Sequence, residues 1–417
     1  MEKVILYCPF NFSGFWNIAI YIISLGTYWA FADFEAKNLM HIVITLCLII
    51  HHLIFRRVVH KVKIPKMIGL LIAYMLIQTV FNQGNAKNTS IVYSLFWLVS
   101  YIYLINVINR NLEIRTILSI LLLMAWLFFI AILIQKGCQL AGIGVWNQNR
   151  AIETTLLESS IRLNGLSPEP SYGSLILIAL GYVYWQLSGH KIGVIWFPVI
   201  CSIVVMESSI GYIGLVLLFL SGCPIRYRFI AIVIIISIGF FIGTVGNGGP
   251  IYRIYELLLG IYNGQDLETL QLIDNSAAQR YIPFINYIRA TPFDDIGLYV
   301  GHGAGSSRIL MLDYIIGVDT DIGFLGGFLP GYLFDFGLIG TALVFLVIKR
   351  NAITSQSSFE WWLLLLVSVN ANFNTQLFWF VLTLLTVGKI CLTNASDLVK
   401  KGTLMQPVTE SQRCTQI

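Results

Sequence analysis

The chain has 417 residues, of which 57% are apolar and only 11% charged, against roughly 25% charged in an average globular protein. That composition excludes a water-soluble globular protein, and a formal charge of +5, from 26 Lys and Arg against 21 Asp and Glu, is too thinly spread to serve nucleic acid. Seven Cys and six His offer no Cys-x-x-Cys pair and no metal-ligand spacing, so neither a disulfide framework nor a metal site is expected, and Cys138 is expected to open a loop.

Apolar runs bounded by charge predict twelve transmembrane helices, at about 14–32, 38–55, 67–82, 90–108, 116–135, 170–189, 192–207, 209–225, 229–246, 323–348, 360–373 and 376–392. Only Lys3 precedes the first run and no small-residue cleavage site follows it, so it reads as a retained helix. The expected fold is an all-α polytopic membrane protein. Its parts are helices 1–5 over 1–135, a first outer loop over 136–169, helices 6–9 over 170–246, a large outer loop over 247–322, helices 10–12 over 323–392 and a polar tail over 393–417. There is no internal repeat and no low-complexity stretch.

Orientation follows from the basic residues. With the N-terminus cytoplasmic, the inner side receives Lys3, Arg56, Arg57, Lys61, Lys63, Lys66, Arg110, Arg115, Lys191, Arg226, Arg228, Lys349, Arg350, Lys389, Lys400, Lys401 and Arg413, which is 17 of the 26. Both termini are then cytoplasmic. The inner connections are short, whereas the two outer loops hold about 34 and about 76 residues. Long loops on a scaffold carry binding and chemistry, so the functional site is expected on the outer face. The larger loop also shows an amphipathic helix candidate at Asn275 to Ile288.

The first loop ends in Arg162-Leu163-Asn164-Gly165-Leu166-Ser167-Pro168-Glu169-Pro170-Ser171-Tyr172-Gly173. Two prolines bracket Glu169 and hold it where a helix is about to begin. Glu169 and Ser171 there serve either as helix caps or, for Glu169, as a general base or sugar ligand, with Arg162 as an anion clamp and Tyr172 beside them. A second cluster, Glu207-Ser208-Ser209-Ile210-Gly211-Tyr212-Ile213-Gly214, falls where the chain is too short for two full spans and a turn. Two short helices meeting below the outer surface would put Glu207 in a partly submerged pocket, the alternative being a carboxylate at the interface beside glycines that pack a neighbouring helix.

The large loop holds Arg253, Arg280, Arg289 and Arg308, with His302 in Gly301-His302-Gly303-Ala304-Gly305-Ser306-Ser307. Arginine is a permanently charged, fork-shaped donor suited to phosphate, and the glycine run would present backbone amides to such an anion. It lacks the context of a nucleotide-binding fingerprint. On the outer face, lipid pyrophosphate is the expected anion. Asp335, inside the tenth span, and Asn370, Asn372, Asn374 and Gln376, between the last two, are too polar to face lipid and mark structural pairing, a polar lining or a turn.

These segments together resemble the bacterial O-antigen polymerase (Wzy-type) family, related to the O-antigen ligases. The likeness rests on Arg162 to Gly173, on the broken pair with Ser-Ser-Ile-Gly-Tyr-Ile-Gly, on Arg280 ahead of Gly301-His302-Gly303, and on Asp335-Phe336-Gly337-Leu338-Ile339-Gly340. The family spaces a basic residue about ten positions before Gly in each outer loop, as Arg162 to Gly173 and Arg253 to Gly264 do here, while Arg289 to Gly301 is one longer. Ser209-Ile210 stands where members often carry Ser-Arg.

The resemblance implies a membrane glycosyltransferase of GT-C-like architecture in the bacterial inner membrane, working on its periplasmic face without a metal or cofactor. Donor and acceptor would be oligosaccharides on undecaprenyl pyrophosphate, with membrane lipid, a chain-length regulator and a flippase as partners and no nucleic acid. Catalytic roles would fall to Glu169, His302 and Arg280, and substrate binding to Arg162, Arg289, Arg253, Glu207 and Tyr172. The nearest rivals are an O-antigen ligase transferring glycan to lipid A core and a polysaccharide flippase. Asp321-Ile322-Gly323-Phe324, where ligases carry a His-Asn type signature, favours the polymerase, and two long outer loops disfavour a transporter.

Overall fold

The computed structural model of the chain describes residues 12–28, 39–55, 64–82, 84, 86–111, 114–143, 163–224, 226–234, 237, 250–273, 285–311, 327–354 and 358–400. Among them there is no strand. The helices are α1 (Phe12–Gly26), α2 (Leu39–Phe55), α3 (Lys66–Phe81), α4 (Asn88–Asn111), α5 (Ile114–Leu140), α6 (Pro170–Leu187), α7 (Trp196–Met206) and α8 (Ser209–Gly222) in the first part. The second part has α9 (Pro250–Tyr262), α10 (Leu267–Ile273), the one-turn pieces α11 (Ile296–Val300) and α12 (Ser307–Leu310), and then α13 (Phe328–Asn351), α14 (Phe359–Asn370) and α15 (Gln376–Lys400).

Among the described residues four helical stretches, Thr89–Asn106, Ile114–Leu140, Phe328–Asn351 and Gln376–Asn394, are long and apolar enough to cross a membrane. Six shorter apolar helices accompany them. Most of the ninth expected span, and most of the helix expected at Asn275 to Ile288, lies outside the described residues; 226–234 and 285–290 are helical. Helix α5 overruns its expected end and takes Cys138 into its last turns, so that residue does not open a loop. The five described cysteines are free thiols.

Helix α6 is the axis of the bundle, with α5, α7, α8, α14 and α15 packed around it. Its residues from Leu175 to Leu180 have no exposed surface, which is why this stretch is apolar all round rather than on one stripe. Small residues set the approach of its neighbours: a Cβ on Gly211 of α8 would meet Ser174, and one on Gly214 would meet Ile178. The glycine pair of the second cluster thus packs a helix. Aromatic stacking joins another quarter, where His41 lies flat on Trp97 at 5.4 Å and Trp97 on Trp379 at 6.4 Å.

Two clusters of polar groups inside the bundle are matched to backbone or to one another, as a low-dielectric interior favours. Gln376 donates through Nε2 to the carbonyls of Ser24, Leu25 and Thr27, which would otherwise be orphans at the end of α1. The polar run Asn370 to Gln376 is thereby the turn between α14 and α15. At the end of the bundle where α13 closes, the buried Glu360 accepts from Tyr182 Oη at 3.0 Å, Gln186 Nε2 at 3.1 Å, Thr354 N at 2.8 Å and Thr354 Oγ1 at 2.7 Å.

The tenth expected span is not one rod. Helix α13 breaks at Gly337, whose φ of 64° and ψ of −173° are non-helical. The kink exists because another segment fills it. A Cβ on Gly337 would collide with the Tyr299 carbonyl and the Gly301 amide, and one on Gly301 with the backbone of Asp335 and Phe336. Two glycines are therefore needed for backbone to meet backbone at this point.

Candidate functional site

The segment from Asp295 to Ser307 is bolted into that kink. The His302 amide donates to the Phe334 carbonyl at 3.0 Å and the Gly303 amide to the Asp335 carbonyl at 3.0 Å. The Asp335 carboxylate accepts from the Gly305 amide at 2.8 Å, the Ser307 amide at 2.8 Å and the Ser306 hydroxyl at 3.2 Å. Helix α3 closes the other side: Gln78 Nε2 donates to the Asp335 carbonyl at 2.9 Å, and the Tyr74 hydroxyl bridges the carbonyls of Val300 at 3.0 Å and Phe336 at 2.9 Å. The amides of the glycine run, expected to face a phosphate, are thus taken by the chain's own carbonyls and by the Asp335 carboxylate. Structural pairing accounts for Asp335.

What this framework presents is His302. Its ring lies 4.3 Å from the Phe334 ring and 6.3 Å from that of Tyr287, and its edge rests on Gly297, where any side chain would strike Cε1 and Nδ1. Among the described residues the two ring nitrogens have no hydrogen-bond partner. Partial burial holds the imidazole pKa below its ordinary value, while the nearby Asp295 charge acts in the opposite sense. Asp295 is itself fixed, because its Oδ1 accepts the Gly297 amide at 2.8 Å and caps α11. A half-buried neutral imidazole with free nitrogens and a carboxylate nearby is the arrangement of a general base. Arg289, before α11 in the chain, is exposed.

A second cluster forms at the start of α6. Glu169 is extended, with φ −142° and ψ 151°, and Pro170 occupies the first helical position, as the missing proline N–H permits. The Glu169 carboxylate does not cap α6; it accepts the Ser171 hydroxyl at 3.1 Å. The turn before it is held by Gln135 of α5, whose Oε1 takes the Gly165 amide at 2.8 Å and the Asn164 amide at 3.2 Å. Tyr172, half-buried, meets Tyr28 edge to face at 6.2 Å. The expected pair of short helices is present as α7 and α8, broken at Glu207 in the left-handed region at φ 50°. Gly173 packs against Met206, so the Glu169 and Glu207 segments meet at one end of the bundle. Glu207 is exposed rather than pocketed, and the Ser208 hydroxyl caps α8 by accepting the Gly211 amide at 3.3 Å.

Of the other residues singled out in the sequence, Arg162 and Arg280 lie outside the described residues. Arg253 falls in α9 and Arg308 in α12, with side chains outside the described set. Two contributors were missed. Asp295 stands in Asp-Ile-Gly, a helix-capping signal immediately before the one-turn helix α11, and Phe334, the floor under His302, looks like any span residue. Among the described residues no group of three His, Cys, Asp or Glu is placed to hold a metal ion. No protein-family profile, curated protein or solved structure matches the chain. Among the described residues the molecule is helical, with four helices fit by length and composition to cross a membrane, and it carries one imidazole site seated on a broken helix and one carboxylate site at the head of its central helix.

Proposed function

We propose that the chain is a glycan polymerase that joins repeat units carried on a polyprenyl pyrophosphate at the outer face of a bacterial inner membrane, and that His302 is its general base. The observation that carries this reading is the unpartnered, half-buried imidazole of His302 held beside Asp295 on the kink of a membrane helix. The resemblance of Arg162 to Gly173 and of the Gly301-His302-Gly303 segment to the O-antigen polymerase family supplies the reaction class.

In this reading an acceptor sugar hydroxyl attacks the anomeric carbon of the donor glycan while the bond from that carbon to the pyrophosphate oxygen breaks. The hydroxyl proton passes to His302, and the charge gathering on the departing pyrophosphate is met by Arg289, together with Arg280 and Arg162. Glu169, Tyr172 and Glu207, at the head of α6, serve the sugars of the incoming unit.

The test is a lipopolysaccharide gel ladder from a strain lacking this gene, complemented with the wild-type chain or with His302→Gln. Core bearing a single repeat unit in the deletion strain and in the variant, with a full ladder on wild-type complementation, supports the proposal. Bare core points to the ligase or the flippase instead. A full ladder with His302→Gln at normal membrane levels removes His302 from the chemistry.

A further inference from the structure

The stretch from Thr291 to Val300 forms a short finger whose turn is closed by the Tyr299 hydroxyl donating to the Phe293 carbonyl at 2.9 Å. Its depth along the membrane helices is fixed from two sides. Tyr74, which binds the Val300 carbonyl, stands seven residues before the last residue of α3, which is about 10 Å inside that end at 1.5 Å per residue. On the other side Gly337 touches the Tyr299 carbonyl, and the residues next after the kink, Leu338 and Ile339, are lipid-type side chains left 43% and 45% exposed. The finger therefore runs alongside the membrane helices rather than above them. At that depth it shows Phe293 and Ile296, 81% and 74% exposed, with Tyr299 beside them. Phe293 and Ile296, like Leu338 and Ile339, are bulky apolar side chains left uncovered by the protein, and Arg289 lies exposed just ahead of them in the chain.

We infer that this finger is a lipid-contacting element that rests in the leaflet on its own side of the membrane, with Phe293 and Ile296 among the acyl chains. Bulky apolar tips with an aromatic hydroxyl and an arginine behind them match the chemistry of a bilayer interface, where hydrocarbon, headgroup and phosphate follow in that order. One consequence rests on the polymerase reading: His302, two residues beyond α11, works at headgroup depth, so the hydroxyl it deprotonates arrives on a lipid-anchored molecule and not from solution.

The experiment places a benzophenone-bearing phenylalanine at position 293, and in a second protein at 296, of the full chain in nanodiscs of phosphatidylethanolamine and phosphatidylglycerol. After irradiation, mass spectrometry reads the adducts. Lipid adducts are expected at both positions, at about five times or more the yield found at Gln265, which is exposed in the polar turn between α9 and α10. Equal yields at the three positions, or no lipid adduct at 293 and 296, overturn the inference. The readout does not depend on polymerisation. Lipid adducts alongside a normal ladder for His302→Gln would retire the polymerase mechanism and leave the finger standing, whereas a lost ladder without lipid adducts would do the reverse.

Discussion

Asp335 and His302 divide the work at residue scale: the carboxylate is consumed in holding the loop, and the imidazole is left free by it. Asp295 then tunes that imidazole. Its charge favours the protonated ring and burial disfavours it, with burial the larger influence. If His302 is the base of the proposed polymerase, the acid limb of its activity, where the base is lost to protonation, is therefore expected below the ordinary histidine value of about 6.5. Asp295→Asn removes the opposing charge, lowers the His302 pKa further and moves that limb to still lower pH. Transfer rates measured from pH 5 to 8 on purified protein check this, and a limb that moves upward refutes the assignment. Gly337→Ala puts a Cβ into the Tyr299 carbonyl at a left-handed φ. A loss of about 1 to 3 kcal/mol is expected, seen as a lower melting temperature in detergent, with loss of polymer output.

Among the elements, α13 is held in its middle by α3 and the glycine loop and at its far end by the Glu360 clasp. That clasp ties α6, α14 and the α13–α14 turn through one carboxylate. Glu360→Ala takes the acceptor from Tyr182, Gln186 and both polar groups of Thr354 at a site with 1% exposure. Buried donors without acceptors cost about 1 to 3 kcal/mol each, partly relieved by rearrangement, so a destabilisation of about 3 kcal/mol is expected. Glu360→Gln keeps an acceptor oxygen and is expected to lose less. Thermal unfolding of both variants orders them, and equal melting temperatures would show that the clasp contributes nothing.

At the scale of the whole molecule, the charge distribution and the fold make one joint prediction. The charge rule assigns Lys191, in the turn before α7, and Lys349 and Arg350, in the last turn of α13, to the inner side, and Gln265 to a loop expected outside. In a chain without its native cysteines, Gln265→Cys is expected to react with an impermeant maleimide in intact cells, and Lys191→Cys only after the inner membrane is opened. The reverse pattern would invert the orientation and put the imidazole site on the cytoplasmic side.

The long apolar helices among the described residues were legible in the sequence, because burial in hydrocarbon or in a helical core leaves a continuous apolar run that needs no partner to be read, whereas the short helices of the large loop, α9 to α12, were not. The sequence also marked the breaks that carry their own chemistry: Pro170 opening α6, the break at the Glu207 cluster between two short helices, the polar turn before Gln376. Only the tertiary structure decided what the polar residues of the interior are for. Asp335, Gly337 and Gly301 acquire their meaning from a contact between segments distant in the chain, 30 residues apart for Gly305 and Asp335, and nothing local distinguishes a glycine that admits another backbone from one that admits a phosphate. The same holds for His302, whose freedom follows from Asp335, Gln78 and Tyr74 satisfying the backbone around it.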